Sequence, residues 1–154
     1  MTPPTPVLDR ARAWLADDPD ARMRDEVQRV INAATLGDPE AIAELEDAFS
    51  GTLEFGTAGL RGRIGPGPNR MNLVVVARAA AGLAAYLNER GGGAVVIGYD
   101  ARYNSEVFAT DTASVMRGAG LRALVLPREL PTPVLAYAIR KLGSTGKVLM
   151  HTEA

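Results

Sequence analysis

Apolar and polar positions follow two regimes along this chain, and the change comes at Thr52. Before it, apolar residues recur at the three- and four-residue spacing of amphipathic helices. Val7, Leu8, Trp14 and Leu15 form one set, Met23, Val27, Val30 and Ile31 a second, and Ala41, Ile42, Leu45 and Phe49 a third. The punctuation agrees. Pro6 behind Thr5 opens the first helix, and Asp18, Pro19 and Asp20 break it. Asp38 and Pro39 supply an N-cap carboxylate with proline at the first helical position, and Gly51 stands where the third helix should stop. Residues 1–51 therefore read as a helical leader.

Residues 52–71 hold five glycines and two prolines, too many for a helix interior. Short strands are predicted at 53–55 and 60–64, with turns between and after them. Asn72 then caps a helix whose apolar stripe is Val76, Ala80, Leu83 and Leu87, and the run Gly91, Gly92, Gly93 ends it. Residues 94–98 are an unbroken apolar run, the pattern of a strand buried on both faces. A polar loop follows, with Asn104 and Ser105 as an ordinary helix start. That helix carries Phe108, Val115, Met116 and Ala119 facing inward. Residues 121–126 make a second apolar strand, and Pro131, Thr132 and Pro133 open a helix bearing Val134, Leu135, Ala138 and Leu142. Residues 147–150 begin a third core strand. Strands alternating with helices after residue 72 predict an α/β fold, a mostly parallel sheet covered by helices. The domain organisation is then a leader over 1–51 and an α/β domain over 52–154. Ligands of such sheets gather where strands end, which directs attention to the loops after Gly98 and Met150.

Composition narrows the classes of function. With 17 basic and 18 acidic residues in 154, the chain has no positive field to draw nucleic acid or an anionic membrane. It has no cysteine and a single histidine, His151, so disulfides, thiol chemistry and a histidine-based metal site are not expected. No apolar run reaches the length of a membrane span, and the first residues lack a basic-then-apolar signal pattern, so the expected location is the cytoplasm.

Two stretches could carry chemistry. Gly56, Thr57, Ala58, Gly59, Leu60, Arg61 and Gly62 set one arginine among glycines. There backbone amides can approach an anion and a guanidinium can grip it with paired donors. The plainer reading is a glycine-rich hairpin with one exposed arginine. Asp100 and Arg102, two apart at a strand's C-terminal end, would meet a substrate or, more plainly, pair with each other to anchor the loop. Residues 143–147, Gly-Ser-Thr-Gly-Lys, lack the glycine spacing of a P-loop and precede a strand instead of following one. Residues 62–67 lack the dinucleotide glycine order, and Trp14 and the tyrosines are scattered, so no base-stacking platform is visible.

The block Phe55-Gly56-Thr57-Ala58-Gly59-Leu60-Arg61-Gly62, followed by Gly65-Pro66-Gly67-Pro68-Asn69-Arg70-Met71-Asn72, resembles the opening signature of the α-D-phosphohexomutases. These are phosphoglucomutases and phosphomannomutases, and the likeness is to their long bacterial, phosphopentomutase-like branch. Trp14, Leu15, the run from Asp17 to Asp20 and Arg24 resemble that branch's helical leader. Gly98-Tyr99-Asp100-Ala101-Arg102 and Leu130-Pro131-Thr132-Pro133 match its next two landmarks in order. The resemblance implies the first domain of an isomerase. Such enzymes move a phosphoryl group between the C1 and C6 (or C5) oxygens of a sugar through a phosphoserine, Mg²⁺ and a bisphosphate intermediate. It places Arg61 near the substrate phosphate, with Thr57 and Gly59 as loop support, and leaves Asp100 and Arg102 as loop anchors.

The family's T-A-S-H-N-P loop does not appear: residues 148–154 read Val-Leu-Met-His-Thr-Glu-Ala, and no serine follows Ser144. The expectation is thus a chain broken off before the catalytic serine, with no catalytic nucleophile, no metal ligands and no Mg²⁺ of its own, inactive alone. Its expected partners are a hexose or pentose phosphate and a second chain carrying the remaining mutase domains. A non-catalytic phosphate-binding or partner-binding domain derived from such an enzyme is the alternative.

Overall fold

Two of the helices in this chain begin behind aspartates that satisfy the free amides of a first turn. A computed structural model describes residues 5–56, 59–144 and 146–150, and the chain divides between Val75 and Val76 into two compact units. In the first unit, α1 (Thr5–Asp17), α2 (Ala21–Thr35) and α3 (Pro39–Phe49) follow one another. Asp20 caps α2 by accepting from the Arg22 amide at 2.9 Å. Asp38 caps α3, accepting from Glu40 N at 2.9 Å and Ala41 N at 3.3 Å, with Pro39 in the first turn.

The joint between α1 and α2 is a built structure. Asp18 is buried, accepting the Trp14 indole N–H at 2.7 Å through one oxygen and the Asp20 amide at 2.9 Å through the other. Burying a carboxylate is costly unless it is hydrogen-bonded, and both oxygens here are. Around the joint, Ala11, Trp14, Val27, Ile31, Ile42, Leu45 and Phe49 form the unit's core, with Trp14 edge-on to Phe49 at 6.0 Å. Each large apolar side chain so buried is worth roughly 1.5–3 kcal/mol.

After α3 the strands are shorter than the residue pattern predicts. β1 (Phe55–Gly56) pairs antiparallel with β2 (Gly59–Leu60), and Ile64 makes only an isolated bridge to Met71. Leu53, expected in a strand, instead sends its amide to Pro68 O at 2.8 Å and its side chain into the helical core, where Leu60 joins it. Glycines and prolines interrupt any longer ladder, so the backbone bonds locally. This compact unit runs through Val75, past the 51/52 boundary drawn from the residue pattern.

α4 (Leu73–Asn88) leads into the second unit, which contains β3 (Ala94–Tyr99), α5 (Ser105–Gly118), β4 (Arg122–Val125), α6 (Thr132–Leu142) and β5 (Gly146–Met150). The sheet order is β4-β3-β5, parallel throughout, and every residue of β3 is buried. The class is α/β. β4, at an edge, is only half-buried over Ala123, Leu124 and Val125 and exposed at Arg122.

α5 buries Phe108, Ala109, Thr112, Ala113 and Met116. Two of its expected inward positions differ: Val115 is half-buried, and Ala119 is exposed at the C-cap. Its carbonyl there accepts the Asn88 amide group at 2.9 Å. α6 buries only Leu135, while Val134 and Leu142 are exposed. Leu135 reaches β3 over Gly98, where an added Cβ would lie 3.2 Å from Leu126 Cδ1 and 3.3 Å from Leu135 Cδ1. The missing side chain in mid-strand is what lets a helix pack that closely. None of the described helices is long and apolar enough to cross a membrane.

Candidate phosphate-binding loop and its anchorage

Arg61 leaves β2 directly and is exposed. Gly59 lies one residue before Leu60 along the hairpin edge, opposite Gly56. Thr57 falls outside the described residues. From Gly62 onward the chain is held at nearly every step, all within the first unit.

Gly62 lies against Leu53, where an added Cβ would come within 2.7 Å of the leucine's Cδ1. Arg63 pairs with Glu44 of α3 at 3.2 Å, and the Met71 amide donates to Arg63 O at 2.9 Å. Gly67 has φ +106, and a Cβ on it would lie 2.7 Å from the Ala48 carbonyl oxygen. That site demands glycine twice over, for conformation and for space.

Two residues lock the turn. Asn72 is 1% exposed; its side-chain nitrogen donates to Gly65 O (2.9 Å), Gly67 O (2.8 Å) and Arg70 O (3.3 Å). Its side-chain oxygen accepts from Val75 N at 3.0 Å, capping α4. The capping role was legible from the sequence; the gathering of three loop carbonyls was not. Arg70 is 4% exposed, and its guanidinium contacts Glu44 at 3.2 Å and Asp47 more closely still. Asn69 completes the attachment by donating its backbone amide to Ala48 O at 3.1 Å and its side-chain amide to Asp47 O at 2.9 Å.

Glu44, Asp47 and Arg70 are functional candidates that pattern reading missed, and a signal existed. α3 carries Glu40, Glu44, Glu46 and Asp47 with no basic residue, and three arginines follow at 61, 63 and 70. An acid-only helix ahead of an arginine-bearing loop invites pairing.

The second stretch lies in the other unit. Asp100 and Arg102 come together after β3: Oδ2 of Asp100 is 3.5 Å from Arg102 Nε, and Oδ1 accepts the Arg102 amide at 3.1 Å. The same Oδ1 accepts the hydroxyl of the buried Ser105 at 2.6 Å. The helix start is not the ordinary one predicted. Asn104 sits at the N-cap with φ +64 and makes no side-chain cap bond, so Asp100 ties the first turn through Ser105 instead. Burial, then the charges of Glu106 and Glu129, raise the Tyr99 phenol above its ordinary value, so at neutral pH it stays protonated. His151 lies outside the described residues.

The Mg²⁺ that the resemblance implies has no fitting donor set among the described residues. No three histidine, aspartate or glutamate side chains gather there, and Glu44 and Asp47 are committed to Arg70.

Comparison with known proteins gives these residues a family. Residues 52–152 match the model of phosphoglucomutase/phosphomannomutase, alpha/beta/alpha domain I. The chain belongs to this family. A probable phosphomannomutase of Haemophilus influenzae is 56% identical over 81 residues, 52% of this chain and 17% of that protein. A probable phosphoribomutase of Schizosaccharomyces pombe is 35% identical over 141 residues, 89% of this chain and 23% of that protein. A crystal structure from Thermus thermophilus, assigned as a phosphomannomutase, aligns with a TM-score of 0.60 at 34% identity. It covers 64% of this chain and 22% of that one. The chain thus spans about a fifth of the length of the relatives it matches.

Proposed function

We propose that this chain supplies the first domain of a sugar-phosphate mutase and that Arg61 grips a phosphate group of the sugar. The observation that carries the reading is an exposed arginine at the end of a glycine hairpin, followed by a loop fixed at nearly every residue. Phosphoryl transfer depends on positioning and on neutralising charge spread over oxygens, and a planar guanidinium on a fixed backbone supplies both. Membership of the family and the names of its relatives support a hexose or pentose phosphate as the ligand.

The 154 residues contain no serine after Ser144, so the phosphoserine and Mg²⁺ steps belong, in this reading, to residues outside them. The domain binds and orients; turnover needs the rest of the enzyme, on the same chain or a second one.

An NMR titration of the chain with glucose 1-phosphate tests the assignment. Arg61→Ala should weaken binding about tenfold or more, equivalent to the loss of roughly 1.4 kcal/mol or more of charge-assisted contact. Arg61→Lys should recover only part of the loss, because an ammonium cannot reproduce the paired donors. Equal affinity in wild type and Arg61→Ala would remove Arg61 from the site. Isomerisation of glucose 1-phosphate by the pure 154-residue chain would show that turnover needs nothing further.

A further inference from the structure

The helical leader does more than precede the glycine-rich loop. Beyond the apolar contacts of Leu53 and Leu60, the segment from Arg63 to Asn72 is fastened to α3 by five polar contacts. They are Arg63 to Glu44, Arg70 to Glu44 and to Asp47, and the two bonds from Asn69 to the carbonyls of Asp47 and Ala48. We propose that α3 is a working part of the phosphate site. In this role Glu44 and Asp47 clamp Arg70, a positioning residue that holds the 62–72 loop in the register from which Arg61 is presented. The inference rests on the reading of Arg61 as the phosphate-gripping residue.

Three physical points carry it. The carbonyls of Asp47 and Ala48 lie in the last turn of α3, where a helix has no donor partners of its own to offer, and Asn69 donates to both. α3 also lacks a basic residue in its last turn, the place where a cation best complements the helix dipole, and Arg70 brings one from the loop. Helix end and loop therefore complete each other.

The second point is energetic. Arg70 is buried while its two carboxylate partners remain 37% and 66% exposed, and ion pairs with exposed partners add little stability, so stability alone gives little reason for an arginine here. What a guanidinium between two carboxylates adds is direction: its planar N–H groups donate only at defined angles, here from Nη2 to both carboxylates. A loop rich in glycine otherwise has many conformations, and ordering each residue costs about 1–2 kcal/mol. Third, Gly67 packs so closely on the end of α3 that an added Cβ would lie 2.7 Å from the Ala48 carbonyl oxygen, which puts loop and helix in direct backbone contact.

The test uses the intact chain with glucose 1-phosphate as the probe. Glu44→Gln with Asp47→Asn removes the clamp's charge at two side chains that are 37% and 66% exposed, so the fold should survive. Amide exchange of residues 62–72, read without ligand, should then speed up about tenfold or more. The Kd for glucose 1-phosphate should rise about tenfold, with Tm shifted by only a few degrees. Arg70→Lys should fall between, its point charge restoring attraction without the fork.

Unchanged exchange in the double variant overturns the clamp even if wild type binds well. Faster exchange with unchanged Kd overturns its role in binding. Failure of the wild-type chain to bind glucose 1-phosphate overturns both the functional reading and the clamp's part in it, whatever the exchange data show.

Discussion

The two units keep their most important backbone in place by opposite means. In the second, β3 is held by what surrounds it: six consecutive buried residues, parallel neighbours on both sides, and α5 and α6 packed against it. In the first, the loop from Gly62 to Asn72 buries Met71, but its course is held chiefly by side-chain nitrogens reaching backbone carbonyls and carboxylates. Apolar burial is non-directional and tolerates small shifts, whereas a hydrogen bond or a guanidinium fork weakens steeply as distance and angle depart from the optimum. A strand that must be stable suits the first method. A loop that must aim one side chain suits the second.

That contrast can be broken by substitution, and the largest effect belongs to the apolar side. Phe108→Ala empties a fully buried site under α5 and should cost about 3–5 kcal/mol, seen as a large fall in the denaturation midpoint. Exchange at 62–72 should rise no more than elsewhere in the chain. Next, Asn72→Ala strips three carbonyls of their common donor and removes the cap of α4. It should cost about 2 kcal/mol in denaturant titration. If its effect on stability matched that of Phe108→Ala, the loop would be as much a core element as β3, and the comparison would fail.

The smallest effect has the opposite sign. Asp111 on α5 has one carboxylate oxygen buried without a hydrogen-bond partner, and burial raises its carboxyl above the ordinary value of 3.8. A raised carboxyl holds its proton more tightly in the folded state. Its contribution is therefore favourable at low pH, and it is lost as the pH rises from 3.8 through the raised value. Asp111→Ala should accordingly stabilise the chain at pH 7, with the gain shrinking below pH 4. Solvent reaches the rest of the carboxylate and screens it, so the gain should stay below about 1 kcal/mol. Thermal melts at the two pH values measure it. A stability loss at pH 7 would mean that Asp111 has a partner in solution.

Much of this architecture was readable from residue pattern. Asp38 caps as a carboxylate ahead of a proline does, and the run from Ala94 to Gly98 is the strand buried on both faces that its apolar pattern predicts. At Asp20 the pattern marks only a helix break, not the cap that stands there. The errors have local causes. Ala119 follows the inward spacing but falls past the last turn of α5, and Val134 and Leu142 belong to a helix that covers strands with one residue's width. At the candidate site, Arg61 was legible because glycines around one arginine are unusual in composition. Arg70 was not, because an arginine in a Gly/Pro-rich stretch looks solvent-exposed until its partners 23 and 26 residues earlier are brought to it.

The sequence by itself determined which segments become helices, roughly where they begin, that residues 94–98 form a strand buried on both faces, and the family to which the chain belongs. These follow from periodicity and capping, which act over a few residues, and from an ordered motif. Only the tertiary structure decided that α3 and the glycine-rich loop form one unit, with Glu44 and Asp47 around a buried Arg70 and Asn72 drawing three carbonyls together. Such contacts join residues far apart in the chain. Their partners are chosen by distance and angle, and neither is written in the spacing of apolar positions.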